Sequence, residues 1–208
     1  MLINDGDQHS IFPLKDGNSL NIFRDEINDQ DPRENFDHLG KMVCFHRRYN
    51  LGDKTDLKSG DFSGWDDLKN HIMKHNDPAV VIPVFMIDHS GISIRAERDF
   101  SDCDPGCWDS GQIGFIYADK KTIRDWLIVK KITQKTREKV REYLIGEIDE
   151  YNDYLTGNVY GYTITDPAGE IVDSCYGFFG DPEKTIVPEF KDQIVPDNEV
   201  FSPVKVTG

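Results

Sequence analysis

Within residues 134–155 the apolar side chains Val140, Leu144, Ile148, Tyr151 and Leu155 recur at steps of four, four, three and four, one stripe along a long helix. Thr133 stands where an N-cap belongs, and Gly157 where a left-handed residue closes a helix. A helix that is apolar on one side only must lay that side on a second layer. The chain supplies that layer as short runs of strand character at residues 19–23, 41–49, 79–87, 91–94, 111–117, 159–165 and 170–176. The last two flank Asp166-Pro167-Ala168-Gly169 and predict a hairpin. Trp65, Leu68 and Ile72 predict a shorter helix over 65–75, with Ser63 as its cap and Asn76-Asp77-Pro78 as its stop. Pro83 predicts a bulge or an edge position in its strand. The run at 41–49 is partly apolar on both faces near its start, which predicts a central place in the sheet.

The expected fold is therefore α+β: a mostly antiparallel sheet of five or more strands, packed by one long and one short helix. A loose segment over 1–18 is expected to precede a single domain over 19–180, with 25–39 a long loop rich in Asn, Asp and Pro. An acidic tail punctuated by proline follows over 181–208.

At 208 residues, with 38% hydrophobic and 11% aromatic side chains, the composition is that of a globular chain able to bury a core. The longest apolar run, 79–87, is broken by Pro83 and is far below the roughly 20 residues of a membrane span. The start lacks the basic residues and apolar stretch of a signal peptide, so a cytoplasmic location is expected. The four cysteines fit reduced thiols in that compartment. Cys103 and Cys107, with three residues between them, fit a tight Pro-Gly turn better than a metal knuckle or a small disulfide loop. No second ligand pair at similar spacing exists. No metal and no cofactor are expected.

The formal net charge is −14, unevenly placed. Residues 1–40 carry nine acids against three Lys/Arg, and 147–208 thirteen against three, whereas 119–142 carry nine bases against four acids. The acidic balance argues against direct, non-specific binding of nucleic acid or anionic membrane. It is compatible with an acidic surface that imitates the phosphates of DNA, although charge alone favours a surface charged for solubility.

Against that trend, residues 40–54 hold four Lys/Arg and one Asp. His46, Arg47 and Arg48 are the candidate anion-binding residues, because a planar guanidinium grips phosphate or carboxylate bidentately. The competing expectation is an ion pair from Arg47 to Asp53 or Asp109. Asp88, His89, Asp109 and Ser110 are candidate catalytic residues, as base, orienter and nucleophile. No Gly-x-Ser-x-Gly elbow accompanies Ser110, and Asp-Ser-Gly is common turn chemistry, so a hydrolytic triad is disfavoured. Phosphate-cradling Gly-x-x-x-x-Gly-Lys-Ser/Thr, dinucleotide Gly-x-Gly-x-x-Gly and zinc-binding His-Glu-x-x-His signatures are absent. Tyr160, Tyr162, Tyr176, Phe178 and Phe179 lie among acids, which favours core packing or a protein partner over stacking on nucleic acid.

Several stretches carry a resemblance: Asp31-Pro32-Arg33-Glu34, Leu39 through Asp53, Asp88-His89-Ser90-Gly91, Trp108 through Tyr117, and Tyr154 through Tyr162. Together they resemble a group of uncharacterised proteins of phages and mobile elements. The likeness covers about 31–180, and the Cys103–Cys107 pair lies outside its pattern. It implies a genetic setting and no mechanism. Taken together, the expected function is that of a non-enzymatic accessory protein binding a host protein in the host cytoplasm. Its acidic face would act as a nucleic-acid mimic against a restriction or CRISPR-type defence. The alternative is an enzyme or a small-ligand binder for phosphate or nucleotide, built on the Arg/His/Asp cluster.

Overall fold

A computed structural model describes residues 8–26 and 30–196. Along the chain run β1 (Gln8–Pro13), β2 (Ser19–Arg24), α1 (Pro32–Asn35), β3 (Lys41–Cys44), α2 (Trp65–His75), β4 (Pro78–Asp88) and β5 (Ile92–Ala96). They continue as β6 (Ser110–Asp119), α3 (Lys120–Leu127), α4 (Gln134–Thr156), β7 (Val159–Thr165), β8 (Ile171–Phe179), α5 (Pro182–Thr185) and α6 (Val187–Phe190). The fold is α+β. The expected single sheet of five or more strands is corrected to two antiparallel sheets of four, ordered β1-β2-β7-β8 and β3-β6-β4-β5. The cause is a long-range pairing. β2 lies against β7, Ser19 opposite Thr165 and Arg24 opposite Tyr160, so an early strand and the last hairpin take each other as partners. Alternation tells which side chains face a core, not which distant strand lies alongside.

The chain divides into two compact units, Gln30–Thr156 and the terminal segments Met1–Asp29 with Gly157–Gly208. In the first unit the sheet is buried on both faces. Met42, Ile116 and Ala118 meet Val140, Leu144 and Ile148 of α4 on one side. Val43, Phe115 and Tyr117 meet Leu68 and Ile72 of α2 on the other. This alternation makes β3 apolar on both faces although it is an edge strand, which corrects its expected central place. β4 is interior, yet Pro83 fits, because Glu97 N donates to its carbonyl just beyond the end of β5 (3.0 Å). The amide hydrogen that proline lacks would have pointed to that same margin. Gly114 of β6 sits where a Cβ would fall 2.0 Å from Val43 O, so close strand approach requires glycine there.

α4 keeps its predicted caps: Thr133 Oγ1 accepts from Thr136 N (3.2 Å), and Gly157 has φ +67°. Gly64, not Ser63, is the N-cap of α2; Ser63 instead donates from N and Oγ to Asp67. The second unit builds its core from Leu20, Ile22, Tyr162 and Ile164 of the sheet with Ile186 and Phe190 beneath. The segments expected as a loose start and a tail thus contribute β1, α5 and α6. The remainder of those two expectations, 1–7 and 197–208, lies outside the described residues.

Candidate functional site

Antiparallel order brings the reactive segments to one end of the first unit's sheet. β3 and β4 finish where β6 begins: Cys44 faces Gly114 and Ile87 faces Ser110. Phe45 N donates to Ile113 O (2.7 Å), which carries the chain beyond β3 along the same margin. His46, Arg47, Arg48, Asp88, Asp109 and Ser110 consequently line one cleft of about 280 Å3, with Trp108 at its rim. Among the predicted site residues His89 alone is missing from that wall. It lines an adjoining hollow of about 580 Å3, and Asp109 belongs to both.

The bonds decide what the cluster can do. Arg48 is ion-paired to Asp88, which also accepts from Tyr49 Oη (3.5 Å). His89 Nδ1 donates to Asp109 Oδ2 (2.8 Å); a carboxylate can only accept, so in the neutral ring the lone pair is on Nε2. Ser110 Oγ donates to Asp104 Oδ2 (2.7 Å), and with the Trp108 and Asp109 amides it holds the Asp104 carboxyl below its usual pKa. Ser110 and His89 therefore serve different carboxylates, and no Ser-His-Asp relay is assembled. Asp88 N bonds Asp109 O (2.8 Å), tying the two loops together.

Arg47 takes neither of its expected partners, because Asp53 binds Arg33 and Asp109 binds His89. Among the described residues no carboxylate pairs with Arg47, which is exposed. With His46 it stands on the ridge between the 280 Å3 cleft and a hollow of about 650 Å3 walled in part by Phe45, Tyr49 and Trp65. His46 stacks on Tyr49, centroids 5.1 Å apart and planes 9° apart. Its Nδ1 accepts from Arg48 N (3.4 Å), so the neutral ring carries its proton on Nε2.

Beneath this surface lies an ion-pair hub on Arg33 and Glu147, neither of them among the expected site residues. The Arg33 side chain, 1% exposed, forks onto Asp53 at 2.8 and 2.9 Å, reaches Glu147 at 3.1 Å and donates to Gly40 O at 2.8 Å. Asp53 also accepts from Met42 N (2.7 Å), and Glu147 from Leu39 N (2.8 Å). Burial alone would lower the guanidinium pKa; Asp53 and Glu147 outweigh it and the net shift is upward. Asp31 caps α1 by accepting from Arg33 N (2.8 Å), with Pro32 following it. Asp-Pro at a helix start was the available signal, obscured by the surrounding Asn and Asp. Glu147 was hidden in an acidic helix end.

Cys44, Cys103, Cys107 and Cys175 are free thiols, and burial pushes Cys44 up to about 12. Among the described residues no group of three or more His, Cys, Asp or Glu is placed to hold a metal ion, and no helix is long and apolar enough to cross a membrane. In comparison with known proteins, the chain matches no family model, no curated protein and no solved structure.

Proposed function

We propose that the Gln30–Thr156 unit binds a small phosphate-bearing molecule, a nucleotide or a phosphorylated metabolite, with Arg47 as the phosphate ligand. The observation that carries this is the position of Arg47: an uncompensated guanidinium on the ridge between two concavities. Arg48 is neutralised by Asp88 and frames the cleft. His46 offers an Nε2–H donor, and the aromatic wall of the larger hollow suits a planar or apolar portion of the ligand. Its 650 Å3 falls within the usual range of ligand pockets, about 300–1,000 Å3, whereas the 280 Å3 cleft lies just below that range and has room for a phosphate group. The reading is one of binding, because the imidazole of His89 serves a different hollow and Ser110 gives its proton to Asp104. Thermal-shift screening with nucleotides and sugar phosphates beside their dephosphorylated counterparts tests it. Stabilisation should require the phosphate and disappear in Arg47→Ala; stabilisation of both proteins alike would end the proposal.

A second reading is favoured by a separate observation. The unit formed by Met1–Asp29 and Gly157–Gly208 carries fifteen acids against five Lys/Arg, a net −10 of the chain's −14. That segregation supports a unit offered to a basic, nucleic-acid-binding surface of a partner protein. With the resemblance of residues 31–180, the reading is an accessory protein of a phage or mobile element acting on a host protein in the host cytoplasm. Charge reversal at Asp166, Glu170 and Asp173 should weaken such an association, as should added salt. Capture of a host partner that both changes leave intact would count against it.

A further inference from the structure

Four strands lie at sheet edges: β3, β5, β1 and β8. An open edge presents unpaired amides and carbonyls, and proteins close such edges by definite devices. β3 is closed by the chain that follows it, with Gly52 bridged to Val43 and Asp53 N donating to Met42 O (2.8 Å). β5 is closed by α4, whose Asn152 Oδ1 accepts from Ile94 N (2.8 Å). β1 runs into a cover at its end: Val195 N donates to Pro13 O (2.9 Å), and Leu14 is bridged to Ile194. β8 differs. Its residues 171–177 are exposed on both faces, including Ile171, Val172 and Tyr176 at 52%, 57% and 53%. The Ser174 amide turns away from β7 and, among the described residues, donates to the carboxylate of its own neighbour, Asp173 Oδ1 (2.8 Å). Counted by alternation from Ser174, Tyr176 also turns its amide outward, immediately before the register shift at the left-handed Gly177 (φ +81°).

We infer that the free edge of β8 receives an extended, lysine- or arginine-bearing strand from a partner protein, extending the sheet by one. Backbone bonds at Ser174 and Tyr176 would provide the pairing, and the exposed apolar side chains would pack on alternate residues of the incoming strand. Asp173 yields the Ser174 amide to the partner's carbonyl and is then available to a cation. Charge selects the occupant. A second copy laid against β8 would bring Glu170 and Asp173 of two units with net charge −10 together, whereas a cationic strand meets complementary charge. The inference rests on the acidic-partner reading of this unit and is independent of the Arg47 cleft.

The full-length chain is titrated with an eight-residue peptide alternating Lys and Val, and with a Glu/Val counterpart, while amide hydrogen exchange is followed by residue. The Lys/Val peptide should slow exchange at Ser174 and Tyr176 at least tenfold, and the Glu/Val peptide should leave both unchanged. Ser174→Pro, which removes the outward amide, and Val172→Lys, which keeps the backbone but repels the cationic strand, should each weaken binding at least tenfold, with circular dichroism confirming the fold. Salt-sensitive binding with protection elsewhere would overturn the β8 assignment while leaving the acidic reading standing. Equal binding of both peptides would remove the charge argument and that reading with it. A concentration-dependent dimer that Ser174→Pro dissolves would assign the edge to self-pairing and overturn the inference.

Discussion

Arg33→Ala should be the most damaging single change in the Gln30–Thr156 unit. It removes the countercharge from Asp53 and Glu147, whose side chains are only 21% and 13% exposed, and it orphans Gly40 O. Breaking a buried pair from one side costs about 3–5 kcal/mol, because the stranded carboxylates cannot regain full hydration. The Leu39, Gly40 and Met42 amides still hold those carboxylates in place after the change. With a urea m-value of about 2 kcal/mol/M, the unfolding midpoint should fall by about 1.5–2.5 M. Trp65, Trp108 and Trp126 all lie in this unit, so tryptophan fluorescence reports its unfolding alone. Adding Asp53→Asn and Glu147→Gln to Arg33→Met should recover most of the loss, since no charge is then left unpaired. A loss below about 1 kcal/mol in Arg33→Ala, or a triple variant no better than the single, would refute the hub.

Three further outcomes follow from particular contacts. Asp119 caps α3 by accepting from Lys121 N, Thr122 N and Thr122 Oγ1; burial alone would raise its pKa, but these bonds outweigh burial and hold it below the usual 3.8. A depressed folded value means the stabilisation is present above the unfolded pKa and lost as pH falls through the folded one. Asp119→Ala should accordingly cost about 1 kcal/mol at pH 7, with the gap from wild type closing in acid, as followed by urea melts across pH. Iodoacetamide at pH 8 should label the exposed Cys103, Cys107 and Cys175 in the native protein and reach Cys44 only after unfolding, as read by peptide mass spectrometry. Gly114→Ala should cost about 3 kcal/mol by driving a methyl into Val43 O and parting β3 from β6, whereas Gly111→Ala, with open space around its Cβ, should be mild.

Local pattern made much of the fold legible. The α4 stripe and caps, α2, and the strands at 79–87, 111–117 and 159–165 need only neighbouring residues to declare themselves, and all are present within a few positions of their expected bounds. What stayed hidden depends on distant partners. Pairing of β2 with β7 joins residues about 140 positions apart, and no period within either strand encodes it. α1 is four residues long, too short for an apolar repeat, and α3 lay inside a stretch noticed only for its charge. The site divides the same way. Residue chemistry singled out 46–48, 88–89 and 109–110, and strand order then placed six of the seven around one cleft. Which cation would be left unpaired depended on Arg33, whose claim on Asp53 arises only when α1 packs beside β3 and α4.

Equilibrium titration of Trp108 fluorescence with a nucleoside monophosphate, in wild type and Arg47→Gln side by side, probes the cleft most directly. Trp108 is 88% exposed at its rim and open to quenching by an occupant. Saturable quenching should appear in wild type, weaken at least tenfold in Arg47→Gln and be absent with the unphosphorylated nucleoside. Equal titrations of the two proteins, or equal affinity for nucleoside and nucleotide, would contradict the assignment of Arg47 as a phosphate ligand.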